Sequence, residues 1–208
     1  MIKHDVQQGT AEWLKIRAGI PTASEFDNLI TPLWKARTGE GVETYLAKKL
    51  AERWLGHPLH TGFDGGAMEQ GKIREEEAIP FFEFSQGVTV ERVGFITTDD
   101  GRAGCSPDGM LDDGGGIEVK CPQPHTHVKY LLAWELPKEY AAQVHGSMWV
   151  TGAPYWRFMS YCRGFPTLLL TIPRHEQICK AIGEAVEIFG MKLDIGYTRM
   201  LTMNGGAK

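Results

Sequence analysis

The chain has 208 residues, a hydrophobic content of 42%, a charged content of 23% and a formal net charge of −4. These values are typical of one sizeable globular domain, and no apolar run is long enough for a membrane span or a signal peptide. The negative charge argues against non-specific nucleic-acid binding, but it leaves room for a local basic channel. The four cysteines form no C-x-x-C pair, so we expect reduced thiols in a cytoplasmic protein.

The N-terminal part of the chain predicts three helices. The first covers 11–18, and the second opens at 21–25, where Thr22 or Ser24 is the N-cap. The start of the second helix presents N–H groups and hydroxyls that suit an anion, although a plain capping motif is the more common explanation of this pattern. Apolar residues at helical spacing predict the third helix over 42–55.

A long helix is predicted over about 67–84, after a loop over 56–66. It contains three consecutive glutamates, from Glu75 to Glu77, and most such charge runs face solvent. The helical period places Glu75 on the same face as Met68 and places Glu77 on the opposite side. Either glutamate is therefore a candidate to point inward, and the period does not choose between them.

The strands that follow lead to a hairpin with an unusual distribution of charge. Its first strand breaks at Asp108, in the sequence Pro-Asp-Gly, and its second strand covers 117–121. Because strand side chains alternate, Glu118 and Lys120 share one face of an otherwise apolar strand. The two acids and the Val119 carbonyl are suitable oxygen ligands for Mg²⁺, and the amine can orient a bound water. Taken alone, this D-x(n)-E-x-K pattern is weak, because turn aspartates and surface ion pairs produce it by chance.

The C-terminal half alternates helices and strands, which predicts an α/β domain with a mixed central sheet flanked by helices. His125 and His127 are two residues apart on an expected loop, so we interpret them as surface histidines rather than zinc ligands. The predicted elements are a helix after Pro122, a helix from Pro137 that carries Tyr140 and Gln143 on one face, strands over 155–161 and 167–172, and a helix over 174–201.

Six stretches between Glu12 and Tyr161 carry a more specific signal. They read W-L-K-I-R-A-G-I-P-T-A-S-E, G-K-I-R-E, F-E-F-S-Q-G-V, A-G-C-S-P-D-G-M, G-I-E-V-K-C-P and A-A-Q-V-H-G-S-M-W-V-T. In order and spacing the chain resembles the lambda-exonuclease family of phage recombination nucleases, the alkaline exonucleases of the PD-(D/E)XK superfamily. We therefore expect a single domain over 1–208, with a restriction-endonuclease-like core over about 60–172, DNA-end-binding helices over 10–56 and a C-terminal helix over 174–201.

The resemblance assigns a role to each position that matches the family's motifs. The expected metal ligands are Asp108, Glu118, the Val119 carbonyl and Glu75, so the resemblance selects Glu75 over Glu77. The catalytic set is Glu75, Asp108, Glu118, Lys120 and Gln143, with Lys120 as the catalytic lysine and Tyr140 one turn before Gln143. The expected ligands of the terminal 5′-phosphate are Arg17, Ser24 and Ser106.

Two further DNA contacts are implied by the same resemblance. Met68 matches an apolar wedge that separates the two strands of the duplex. Family members often have an arginine that enters the minor groove, and here that loop offers Lys35 and Arg37 without deciding between them.

The resemblance implies a 5′→3′ exonuclease that acts on duplex DNA ends with two Mg²⁺ ions, or with Mn²⁺ as a substitute. It would release 5′-mononucleotides and leave a 3′ single strand. The implied assembly is a homotrimeric ring threaded by DNA, with a single-strand-annealing recombinase as partner in a phage-infected or prophage-carrying bacterium. The alternatives are a superfamily endonuclease and a catalytically dead DNA-binding module; the presence of Asp108, Glu118 and Lys120 argues against the second.

Overall fold

The structure is a computed structural model, and it describes residues 1–59 and 77–203. Two predicted site residues, Met68 and Glu75, lie outside the described residues. Most of the long helix predicted over 67–84 also lies outside them.

The helices follow the predicted order, with one change of type. The segment predicted as the second helix is a 3₁₀ helix that begins only after Thr22, because Thr22 is extended and forms a parallel bridge with Gly104. The elements are α1 (Ala11–Arg17), the 3₁₀ helix (Ala23–Asn28), α2 (Glu40–Leu55), the described part of α3 (residues 77–86), α4 (Pro124–Ala133), α5 (Lys138–Thr151) and α6 (Glu176–Met203).

The strands of the described residues form two sheets. A mixed five-stranded sheet has the order β2-β5-β6-β7-β8, in which only β6 and β7 are parallel, and it confirms the predicted fold class. A small antiparallel sheet has the order β1-β3-β4, and neither this second sheet nor β1 was predicted from the sequence. The strands are β1 (Ile2–His4), β2 (Val90–Glu91), β3 (Phe95–Thr97), β4 (Gly104–Cys105), β5 (Gly109–Leu111), β6 (Gly116–Lys120), β7 (Tyr155–Ser160) and β8 (Leu168–Pro173).

Asp108 lies where the chain leaves the small sheet and enters the large one. Strand β4 belongs to the first sheet and β5 to the second, so the predicted break at Pro-Asp-Gly is a junction between sheets. Gly109 is required there by close packing, because a Cβ at this position would lie 2.0 Å from Cγ1 of Val90. The junction thus places Asp108 at the edge of β6.

The two faces of β6 meet different layers of the protein. Ile117 and Val119 are fully buried in a cluster with Ala78 and Phe82 of α3. The opposite face is turned toward α5, which packs with the 3₁₀ helix and α6 around the larger core. This layering buries the apolar side chains of β6 on one face and leaves Glu118 and Lys120 beside α5.

The interpretation of His127 as a surface loop residue was wrong. Helix α4 begins at Pro124 and turns His127 into the interior, where Ser160 Oγ lies 2.7 Å from its Nδ1 and the Pro166 carbonyl lies 2.9 Å from its Nε2. His125 is exposed. His127 therefore anchors α4 to β7 through one hydrogen bond and to the segment between β7 and β8 through the other.

The structure also bears on the thiols and on membrane insertion. All four cysteines are free, as the sequence predicted. Although α6 has 28 residues, neither it nor any other helix in the described ranges is apolar over a length that would cross a bilayer.

Candidate active site

One face of β6 holds an acid and an amine in direct contact. Lys120 Nζ lies 2.5 Å from Glu118 Oε1, and the Gln143 side chain of α5 donates to the same oxygen over 2.6 Å. Glu118 is 2% exposed, whereas the Lys120 side chain keeps a quarter of its surface accessible. Strand alternation predicted the shared face, and α5 adds the amide that fixes the carboxylate.

Asp108 faces the edge of β6 beyond the end of β5. The β5–β6 pairing stops at Gly109 and Ile117, and the Val119 N–H donates to Asp108 Oδ2 over 2.6 Å. Because the N–H and C=O of one strand residue point to the same edge, the Val119 carbonyl is directed toward the side of Asp108. Arg92 Nη1 donates to the Asp108 carbonyl over 2.9 Å, so backbone and side chain of Asp108 are both held.

The charges of this cluster depend on one another. Burial raises the pKa of Asp108, while the charge of Lys120 and the Val119 N–H oppose this shift. Burial lowers the pKa of Lys120, but the charge of Glu118 and the hydrogen bond to it outweigh burial, so the pKa lies above its ordinary value. Lys120 is therefore an ammonium at neutral pH, which makes it a donor and a positive charge rather than a base.

The oxygen donors of the cluster fit Mg²⁺, which prefers carboxylate and carbonyl ligands. Asp108, Glu118 and the Val119 carbonyl supply them from two neighbouring elements. Within residues 1–59 and 77–203, no group of three or more His, Cys, Asp or Glu side chains lies close enough together to hold a metal ion. Asp108 and Glu118 alone do not make up such a group, and the predicted third acid, Glu75, lies outside the described residues.

Tyr140 lines the same site from α5. Lys120 Nζ lies 5.0 Å from the centre of the Tyr140 ring, within the range of a cation–π contact. The ring packs against Phe158 of β7 with a centroid separation of 5.4 Å. Tyr140 therefore contacts the Lys120 ammonium through its aromatic ring. The predicted helix face that carries Tyr140 and Gln143 does meet β6.

A second polar site lies two residues before Asp108 in the chain. Ser106 Oγ accepts hydrogen bonds from Arg17 Nη1 over 2.8 Å and from Trp13 Nε1 over 3.0 Å. The Arg17 guanidinium stacks on the Trp13 ring at 4.2 Å. Since two donors already point at Ser106 Oγ, its own O–H is directed elsewhere and is available to a bound anion.

Ser24 makes no direct contact with Arg17 or Ser106, and a backbone bridge of its neighbour Thr22 links its segment to the pocket. It is exposed at the start of the 3₁₀ helix, and its Oγ lies 3.4 Å from Thr22 Oγ1. The bridge between Thr22 and Gly104 brings this segment alongside the strand that leads to Ser106. The structure therefore joins Arg17 and Ser106 directly and Ser24 through its neighbours.

The two basic candidates for a minor-groove contact have different surroundings. Arg37 Nε donates to the carbonyls of Asp27 over 2.6 Å and Ile30 over 3.1 Å, so Arg37 closes the end of the 3₁₀ helix. Lys35 is exposed, and its ammonium forms no ion pair with any described residue. Both side chains are exposed, and they differ in that Arg37 is held by backbone carbonyls.

Sequence reasoning missed the side chains that hold the strand break in place. Gln8 Nε2 donates to the carbonyls of Val93 over 3.2 Å and Pro107 over 2.9 Å, and Arg92 holds Asp108 as described above. No periodicity marks Gln8 or Arg92, because their partners are distant in the chain. The stacking of Trp13 on Arg17 was accessible, since residues four apart on a helix are neighbours.

The comparisons with known proteins concern the family and the fold of the chain. A family model described as a YqaJ-like viral recombinase domain matches residues 12–154. An alkaline exonuclease from Laribacter hongkongensis has a similar structure, with a TM-score of 0.84 and 26% identity, over 95% of this chain and 99% of that chain. The same values hold for its complex with dAMP.

A phage-related exonuclease from Haemophilus somnus 129PT shares the fold, with a TM-score of 0.65 and 14% identity over 87% of this chain and 96% of that chain. The comparison with curated proteins gave no match.

Proposed function

Because this chain belongs to the family of YqaJ-like viral recombinase domains and is a nuclease homologous to the alkaline exonucleases, we propose that it digests duplex DNA from its 5′ ends. The proposed reaction is Mg²⁺-dependent hydrolysis that releases 5′-mononucleotides and leaves a 3′ single strand. The observation that carries the proposal is the contact of Lys120 and Gln143 with Glu118 beside the half-buried carboxylate of Asp108.

In this proposal Asp108, Glu118 and the Val119 carbonyl hold Mg²⁺, with Glu75 as a further ligand. Bound Mg²⁺ supplies Lewis acidity and lowers the pKa of a coordinated water. Lys120 stays charged next to Glu118 and stabilises the negative charge that develops on the phosphate oxygens. Gln143 donates to the oxygen that also contacts Lys120, and so it fixes both side chains before substrate arrives.

The polarity of digestion rests on the second polar site. Arg17 is a cation with a planar set of donors, which suits a phosphate, and Ser106 adds a hydroxyl. With the exposed Ser24, they would bind the terminal 5′-phosphate close to the metal ligands. The relative from Laribacter hongkongensis was crystallised with dAMP, a mononucleotide of the kind proposed as product.

Four parts of the proposal concern the contacts with DNA and the assembly of the enzyme. We place a strand-separating wedge at Met68 and a minor-groove contact at Lys35. We also propose a homotrimeric ring and a single-strand-annealing recombinase as partner. A ring would reconcile the net charge of −4 with DNA binding, because basic side chains can line the channel while acidic ones face outward.

The decisive experiment is digestion of end-labelled linear duplexes and closed circular duplexes, with and without Mg²⁺. We expect label to appear in 5′-mononucleotides from linear DNA only when Mg²⁺ is present, while circles stay intact. Rapid cleavage of closed circles would instead establish the endonuclease alternative. Binding of ends without any Mg²⁺-dependent product would establish the catalytically dead binding module.

A further inference from the structure

A second cluster of buried charges lies next to the proposed phosphate pocket. Lys49 of α2 is 4% exposed, and its Nζ contacts Glu25 Oε2 over 2.7 Å and Glu52 Oε2 over 3.0 Å. Glu52 is 2% exposed. Lys48 contacts the other oxygen of Glu25 over 2.9 Å. None of these four residues takes part in the metal site described above.

This cluster holds together the two segments that carry the pocket. Glu52 Oε2 accepts a hydrogen bond from the Gly19 N–H over 3.2 Å, and Gly19 follows Arg17 by two residues. Glu25 directly follows Ser24. One lysine therefore links, through two carboxylates, the end of α1 and the start of the 3₁₀ helix.

The approach of α1 to α2 at this point is unusually close. Gly19 has a φ of +73°, and a Cβ there would lie 2.6 Å from Cβ of Arg53. The backbone of α1 can reach Glu52 only because residue 19 has no side chain. The position of Arg17 is thus tied to α2 by packing as well as by charge.

Both oxygens of the Glu25 carboxylate are engaged by partners other than Arg17. Besides the two lysines, it accepts hydrogen bonds from Tyr45 Oη over 3.2 Å and Thr22 Oγ1 over 3.3 Å. No hydrogen bond of the described residues joins Glu25 to Arg17. Burial lowers the pKa of Arg17, and among the neighbouring charges Glu25 opposes this shift most strongly. The Glu25 carboxylate therefore attracts the Arg17 guanidinium without a hydrogen bond between them.

The energetic cost of the cluster indicates a geometric role. Burying a lysine and two carboxylates costs desolvation energy, and apolar side chains of similar volume commonly stabilise a fold as well or better. Charged groups, in contrast, impose distances and directions on their partners. Here Lys48 and Lys49 hold the Glu25 carboxylate in contacts that do not include the guanidinium of the pocket.

We propose that Lys49 is a positioning residue for recognition of the 5′ end. It holds the Glu25 carboxylate away from Arg17 and fixes Arg17 relative to Ser24, so that the guanidinium remains available to the terminal phosphate. This inference rests on the proposed binding of a 5′-phosphate at Arg17 and Ser106. Without Lys49, Glu25 would pair with Arg17 and compete with the DNA end.

The test compares Lys49→Met with the wild type on duplexes that differ only in a 5′-phosphate or 5′-hydroxyl. Loss of a charge-assisted contact predicts a KM for phosphorylated ends that rises on the order of tenfold. We expect little change in KM or kcat for hydroxyl ends. Lys180→Met, which removes an exposed lysine of α6, is the matched control and should match the wild type on both substrates.

A second variant separates positioning from general loss of structure. In Lys49→Met/Glu25→Gln the competing carboxylate is gone, so we expect the preference for phosphorylated ends to return to within about twofold of the wild type. If Lys49→Met proves unfolded by circular dichroism, Lys49→Gln keeps a donor to both carboxylates and should show a partial loss of the same preference.

Three outcomes would overturn the inference. Equal losses on both substrates in every Lys49 variant would make the cluster purely structural. An unchanged preference in folded Lys49→Met would do the same. A wild-type enzyme that treats both ends alike would instead refute the phosphate pocket itself, and this result is visible before any variant is measured.

Discussion

In the described part of the chain, Glu118 and Glu52 are buried glutamates that each contact a lysine, and the two contacts have different surroundings. Lys120 meets Glu118 on β6 with 25% of the lysine side chain exposed, whereas Lys49 meets Glu52 with 5% exposed. Around Glu118 the neighbouring strand edge adds the carboxylate of Asp108 and a backbone carbonyl. Under the proposed function, the ion pair that adjoins oxygen donors and an open face belongs to the reactive site, and the enclosed pair does not.

The second lysine belongs to a cluster of Lys48, Lys49, Glu25 and Glu52, which we call the closed cluster. Two lysines, a tyrosine and a threonine contact the two oxygens of Glu25, and Lys49 and the Gly19 N–H contact Oε2 of Glu52. Such a cluster has little capacity left for a ligand, and it is suited to hold backbone segments at a fixed separation. Variants in each cluster should therefore produce different defects, which the following experiments measure.

The cluster of Asp108, Glu118 and Lys120 is called the open cluster, and its Asp108→Ala variant is expected to show the largest effect. It removes a proposed metal ligand, whose stabilisation of the transition state is worth several kcal/mol, so the cleavage rate should fall on the order of a thousandfold or more. Binding of DNA ends, measured by fluorescence anisotropy, should persist. Asp112→Ala, in the exposed turn between β5 and β6, is the control; Mg²⁺-dependent digestion by Asp108→Ala would show that the site is misassigned.

The closed cluster should affect stability in acid. Burial raises the pKa of Glu25, but Lys49 and Lys48 outweigh burial and bring it from 4.5 to about 2. Because the pKa is depressed in the folded state, its contribution is present above about pH 4.5 and is lost as the pH falls toward about 2. This contribution is on the order of 3 kcal/mol.

Urea unfolding of the wild type and Glu25→Gln would measure that contribution. The difference in free energy of unfolding should be largest near neutral pH and should close across this acidic window. A difference that does not vary with pH would mean that the charge of Glu25 contributes nothing to folding.

Gln143→Ala tests the support of the open cluster. It removes a hydrogen bond to a charged group, worth about 1.5–3 kcal/mol, so the single-turnover rate at saturating Mg²⁺ should fall roughly 10- to 100-fold. Thermal stability should change little, since Gln143 is only half-buried. Gln123→Ala, at an exposed glutamine before α4, provides the comparison; a rate equal to the wild type would remove Gln143 from the site.

The smallest and most selective effect is expected for Arg17→Ala. The rate on 5′-phosphorylated ends should fall about tenfold through loss of one charge-assisted interaction, while the rate on 5′-hydroxyl ends stays the same. Competition between the two labelled substrates in one reaction measures this ratio directly. Equal losses would show that Arg17 supports the fold through Trp13 and Ser106 rather than recognising phosphate.

Local patterns of the sequence predicted the open cluster well. Alternation along β6 placed Glu118 and Lys120 together, and helical period placed Tyr140 and Gln143 on the face of α5 that meets them. These predictions succeeded because each depends on neighbours within one element. The roles assigned to these residues come from the family resemblance and stay predictions.

Contacts between distant segments were beyond the same reasoning. The junction of two sheets at Asp108 depends on the pairing of β2 with β5, which no local period reveals. The closed cluster was equally hidden, because Glu25 and Lys49 lie on different helices. His127 was misjudged because the start of α4, and hence the direction of its side chain, depends on packing against β7.

The short path from Ser106 to Asp108 has a consequence for the increment of digestion. Only Pro107 separates Ser106 from Asp108, so the Cα atoms of these two residues lie at most roughly 7 Å apart. Gln8 donates a hydrogen bond to the Pro107 carbonyl and so restrains the backbone between them. For an enzyme that binds each 5′-phosphate near Ser106 and cleaves near Asp108, the fixed separation of these two residues sets the length of the product. Such an enzyme removes one nucleotide at each cleavage, whatever the identity of its base.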